Sequence, residues 1–118
     1  MRKTIDILFE ELSQISRTPL FQRLDILDMT PSVIKARLMI RPDLYVQIYV
    51  NLKRPKCSYA LLFGTSRIYG RDMIENDWHK HPVENPEMHD CSEDPSRSIS
   101  ISDFVEEVEE ILIQRNLI

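Results

Sequence analysis

A chain of 118 residues with 42% hydrophobic and 29% charged residues is expected to form one domain around a single core, without disulfide or metal staples. Two glycines and seven prolines exclude a Gly-rich phosphate cradle and argue against disorder. A net charge of −4 gives no general affinity for polyanions, and no segment approaches the roughly 18 apolar residues of a membrane span.

The charge is unevenly distributed. Residues 1–71 hold 12 Lys and Arg against 6 Asp and Glu, whereas residues 72–118 hold 3 against 13. The ordinary consequence is mutual neutralisation across the fold. The sharper one is a basic sheet surface kept for a polyanion, with the acidic part facing a basic partner. Asp6, Glu10 and Glu11 interrupt any apolar leader, and Cys57 and Cys91 form no CxxC pair. Two reduced thiols in a cytoplasmic protein are therefore expected.

In chain order, TIDILFEELSQISR places Ile5, Leu8, Phe9, Leu12 and Ile15 at helical spacing, with Thr4 as N-cap and Asp6 in the first turn. Pro19 should end this helix near Ser16 or Arg17. Strand-like segments follow: FQRLDILD (21–28), VIKARLMI (33–40), LYVQIYVN (44–51), CSYALLFG (57–64) and RIYG (67–70). Short turn sequences between them predict an antiparallel meander of four to five strands. Alternation puts Ile34, Ala36, Leu38, Ile40, Leu44, Val46, Ile48 and Val50 on one face, with Lys35, Arg37, Tyr45, Gln47 and Tyr49 on the other.

The last segment, SDFVEEVEEILIQRNLI, is a second amphipathic helix capped by Ser100 or Ser102, with Phe104, Val108, Ile111 and Leu112 opposite a glutamate face. Two such helices and one half-apolar sheet have complementary needs. The predicted fold is a single α+β domain over residues 1–118, with the N- and C-terminal helices packed on the aliphatic face. Residues 71–99 read as a long His/Pro-rich loop, ordered in its first half by Trp78 and its prolines, and mobile around CSEDPSRS.

Candidate chemistry concentrates in DWHKHPVENPEMHD (77–90), which holds every histidine of the chain. His79 and His81, two apart, share a face if extended. They could bind a divalent metal with His89, aided by Glu87, Asp90 or Cys91, although no high-specificity ligand spacing is present and no cofactor is predicted. They could equally be polar side chains of a loop anchored by Trp78. A metal-independent ribonuclease site can be drawn from His79, His81 and His89 as acid and base, Arg71 as phosphate-binding cation, and Arg67 and Tyr69 nearby. Tyr45 and Tyr49 could stack bases while Lys35 and Arg37 contact phosphates, unless a loop covers them. Cys91 has no basic neighbour nearer than Arg97, which leaves a nucleophile role unsupported.

The order RIYGRDMIENDWHKHPVENPEMHD, a polar gap, then SISDFVEEVEEIL resembles the TumE-type proteins of toxin–antitoxin systems over residues 67–112. His79, Lys80, His81, Pro82, Pro86 and His89 carry the likeness, without the adjacent histidines typical of that family. The resemblance implies a cytoplasmic toxin-like protein encoded beside an antitoxin, acting on RNA through residues 67–91. Two further readings stand beside it. In a non-catalytic interaction module, WHKHPVENP with Trp78 would dock a partner protein or a second copy in a homodimer. A metal-dependent hydrolase would use the three histidines as ligands. None of these requires a membrane.

Overall fold

A computed structural model of the chain describes residues 4–74, 77–81 and 99–118. Helix α1 spans Ile5–Ser16 and helix α2 spans Ile101–Gln114. Between them run β1 (Arg23–Met29), β2 (Val33–Arg41), β3 (Leu44–Asn51), β4 (Lys56–Phe63), β5 (Ser66–Ile74) and β6 (Asp77–His81). The strands form one antiparallel sheet in the order β1-β2-β3-β4-β5-β6, an α+β meander.

Local chemistry explains the helix limits. Thr4 Oγ1 accepts from Ile7 N–H at 3.3 Å, and Asp6 occupies the first turn of α1, where the helix dipole favours an acid. The helix stops at Ser16, ahead of Pro19, as the spacing predicts. Of the two candidate caps of α2, Ser100 is used. Its Oγ accepts from Asp103 N–H at 3.0 Å, and Asp103 Oδ2 accepts from Ser100 N–H at 3.3 Å, a reciprocal box that satisfies two orphan donors.

The hairpins are closed by short polar side chains. Thr30 Oγ1 accepts from Val33 N–H at 2.9 Å, and Asn51 Oδ1 accepts from Lys53 and Arg54 N–H at 3.0 Å each. Gly64, with φ of 64°, supplies the left-handed residue of the β4–β5 turn.

Ile5, Leu8 and Leu12 of α1 and Phe104, Val108 and Leu112 of α2 bury against Ile34, Ala36, Leu38, Val46, Ile48 and Leu61. Both helices therefore share one face of the sheet, as expected. Leu12, Leu38, Val46, Phe104 and Leu112 have no exposed surface, so each contributes roughly 1.5–3 kcal/mol of transfer free energy.

Two features depart from the expectation. The sheet has six strands rather than four or five, because Asp77–His81, expected to lie within the 71–99 loop, form β6. β5 also continues through Arg71–Ile74 rather than ending at Gly70. The CSEDPSRS segment lies outside the described residues.

Three register shifts break the strict alternation, between Ile26 and Asp28, Met39 and Arg41, and Leu61 and Leu62. The first lies on edge strand β1, where a bulge discourages further strand pairing beside the exposed Ile26, Leu27 and Met29.

Candidate nucleic-acid interface

Antiparallel partners point to the same face, so the registers can be followed across the sheet on the side away from the helices. One row runs Asp28–Lys35–Tyr49–Ser58–Asp72 and ends at position 79 of β6. The adjacent row runs Asp25–Arg37–Gln47–Ala60–Gly70 and ends at position 81. Among the described residues, no element covers these two rows. Lys35 and Tyr49 thus share a register row with position 79 of β6, and Arg37 shares one with position 81, whereas Tyr45, paired with Met39 and Leu62, lies one row further along.

The rows enclose a shallow depression of about 380 Å³ over β4, lined by Lys35, Tyr49, Lys56, Ser58, Arg67, Asp72 and Ile74, among others. Its polar wall is a hydrogen-bonded network. Asp72 Oδ1 accepts from Ser58 Oγ at 2.8 Å and from Arg67 Nη2 at 3.0 Å; Arg67 Nη2 also donates to Ser58 Oγ at 3.0 Å, and Arg67 Nη1 to Asp72 Oδ2 at 3.3 Å. Gly70 makes this possible. A Cβ there would meet Arg67 Nε at 3.0 Å and the Tyr59 carbonyl oxygen at 3.1 Å, so the guanidinium lies over a bare backbone.

The described side chains of this face include the cations Arg23, Lys35, Arg37, Lys56 and Arg67 and the acids Asp25, Asp28 and Asp72. Arg23 pairs with Asp25 at 3.0 Å, and Arg67 with Asp72. Among the described residues, neither Lys35 nor Lys56 has an ion-pair partner, and Arg37 donates to the neutral Gln47 at 3.1 Å. Among the described side chains, the open face therefore carries five cations against three acids in a protein of net charge −4.

The two tyrosines differ. Tyr49 is half-buried beside the depression. Tyr45 is nearly covered at 9% exposure: Arg37 lies 4.8 Å from its ring centroid, and its hydroxyl donates to the Gly64 carbonyl at 3.3 Å. Tyr49 is thus the ring available for stacking, while Tyr45 supports Arg37.

Arg67, Tyr69 and Arg71 do not gather into one site, a correction to the grouping drawn from sequence. The shift that pairs Leu61 with Tyr69 and Leu62 with Arg67 leaves Ile68 as an extra residue. Arg67 is thereby sent to the open face and Tyr69 and Arg71 to the helix face. Arg71, 5% exposed, lies under α2, where its Nη2 donates to Glu107 Oε2 at 2.5 Å and its Nε to Oε1 at 3.1 Å; the Tyr69 hydroxyl donates to Oε1 at 2.9 Å. This pair joins the basic and acidic parts of the chain.

Trp78 is also on the helix face, half-buried, with its ring 5.5 Å from that of Tyr59. The side chains of His79 and His81, and all of Glu87, His89, Asp90 and Cys91, lie outside the described residues, so the histidines enter only as register positions. Among the described residues, no three His, Cys, Asp or Glu side chains are grouped to hold a metal ion, and no helix is long and apolar enough to cross a membrane.

Burial pushes the Cys57 thiol up from its ordinary range, a shift that a hydrogen bond with Tyr59 only partly opposes. The thiolate is therefore disfavoured, and Cys57, which packs against the core on the helix face, is a poor nucleophile. Comparison of the chain with family models, with curated proteins and with solved structures finds no match.

Proposed function

We propose that the open sheet face binds single-stranded RNA, and that the protein is a toxin of the TumE kind acting on RNA through this face. The observation that carries the reading is the pair of register rows, which set Lys35, Arg37 and Tyr49 in line with positions 79 and 81. Lys35, Lys56 and Arg37, without ion-pair partners among the described residues, suit a phosphate backbone, and a partly exposed tyrosine suits a base. The toxin assignment draws on the segment order across 67–112, ending in an acidic helix.

The location of the cations also fixes a scale. If Lys35, Arg37 and Lys56 each neutralise one phosphate, log K should fall with log salt at a slope of about −2 for a single strand. Anisotropy of a labelled 12-nucleotide single strand, titrated at several salt concentrations, tests this. Lys35→Ala should lower the slope by about 0.7 in magnitude. A salt-independent affinity, or no binding at low salt, would remove the reading. For the toxin assignment, expression without the neighbouring antitoxin should arrest growth, and His79→Ala should relieve it; unimpeded growth counts against it.

A further inference from the structure

Resting on the RNA reading, we infer that the β3–β4 turn, with Lys53, Arg54 and Lys56, continues the phosphate-binding track of the open face. Lys56 lies on that face beside Asn51, its register partner on β3. The Asn51 side chain bonds in two directions. Its Oδ1 accepts from the Lys53 and Arg54 N–H groups at 3.0 Å each, and its Nδ2 donates to the Tyr49 hydroxyl at 3.4 Å. Asn51 and Tyr49 project from the same side of β3, so these bonds draw the turn backbone toward the open face. The turn that carries the cations is thereby fixed relative to the ring available for stacking.

Charge favours the same path. Between Asp43 and Asp72 the chain has no acidic residue, and neither has β2. The described acids of the open face stand toward its borders, Asp25 and Asp28 on β1 and Asp72 on β5, the last held by Arg67. Lys53, Arg54 and Lys56 are exposed and, among the described residues, have no ion-pair partner. Lys35 and Lys56 are separated by two strand spacings and two residues, roughly 12 Å along the sheet, with Tyr49 and Asn51 between them. A single strand laid from Arg37 past Lys35 and Tyr49 to Lys56 therefore meets the turn next. The ring between the two groups of cations favours a nucleic acid over an acidic peptide, because every base has a face to stack on it.

Lys53 and Arg54 add two charges to the three counted on the face, which steepens the expected salt slope from about −2 to about −3.5. Anisotropy titrations of the 12-nucleotide strand at several salt concentrations, run on two double variants, test this. Lys53→Ala with Arg54→Ala should return the slope to about −2 and weaken binding alike for every sequence. Arg17→Ala with Arg115→Ala removes the same charge from exposed positions at the C-terminal ends of α1 and α2, and should leave the slope near about −3.5. Equal slopes for the two double variants overturn the track, since net charge alone would then account for binding. A turn variant that keeps the wild-type slope, while Lys35→Ala lowers it, overturns the track and leaves the RNA reading in place. Polyglutamate that competes as well as an unlabelled strand of equal charge overturns it in favour of an acidic protein partner. Failure of the strand to bind at low salt overturns both readings.

Discussion

The Arg71–Glu107 pair offers a test with a calculable size. Glu107→Ala removes the carboxylate that accepts from Arg71 Nη2 and Nε and from the Tyr69 hydroxyl. Breaking a fully buried pair costs about 3–5 kcal/mol, most of it from the stranded charge. Here the Arg71 side chain is 6% exposed but that of Glu107 is 30% exposed, so water reaches one side, and Arg71 has further interactions. A loss of about 2–3 kcal/mol is expected, lowering Tm by about 10 °C in a domain of this size.

Urea unfolding followed by the emission of Trp78, the chain's single tryptophan, measures it. The double change Arg71→Met with Glu107→Leu should recover most of the loss, because an apolar pair replaces an ionic one. It should also leave RNA affinity unchanged, since both residues lie on the helix face. A loss below about 0.5 kcal/mol, the size of a surface pair, would refute the reasoning. A double variant no more stable than Glu107→Ala would do the same. Loss of RNA binding with stability restored would return Arg71 to the site.

Three other outcomes follow from the same packing. Burial is the main cause raising the ionisation of Tyr59 and Tyr69 above the ordinary value of 10.0, with the Glu107 carboxylate adding to it at Tyr69. Both phenols are neutral in the folded protein when the unfolded chain begins to ionise. Stability should therefore be complete below pH 10 and fall above it by about 1.4 kcal/mol per pH unit for each tyrosine, measured by urea midpoints between pH 9 and 11. Tyr69→Phe should halve that slope, and a flat profile would contradict the burial. Trp78→Ala should cost about 2 kcal/mol, as expected of a half-buried ring on Tyr59, and a value near zero would mean β6 is not docked. Ser100→Ala should cost about 1 kcal/mol by opening the capping box of α2, read from thermal unfolding, with no effect implying that the helix is held by packing alone.

Much of the architecture was legible because it is written in local periodicity. α1 and α2 show apolar spacing, caps and a proline stop, and β2 and β3 alternate cleanly against a solvated face. β6 was not legible: DWHKH offers one aromatic among polar and charged residues, and a single aromatic carries no period. The end of β5 was hidden for a related reason. Arg71 is buried at a position where alternation would call for an apolar residue, and its partner Glu107 is 36 residues away.

The candidate site divides along the same line. Lys35, Arg37, Gln47 and Tyr49 could be read as a face from strand parity alone. Ser58 joins them through the β3–β4 register, and Gly70, Arg67 and Asp72 only through the β4–β5 register, whose extra residue at Ile68 reverses parity between Arg67 and Tyr69. A signal for this existed in Gly70 within a strand pattern, which marks a close approach of other atoms to the backbone.

The most direct test of the account is to map where RNA touches the protein. Backbone amide shifts of the labelled protein, titrated with a single-stranded oligoribonucleotide, should move at Lys35, Tyr49, Ser58 and Asp72. Those of Glu106, Glu109 and Glu110 on the far side of α2 should stay fixed. Shifts confined to α1 or α2, with the two register rows unmoved at saturation, would contradict it.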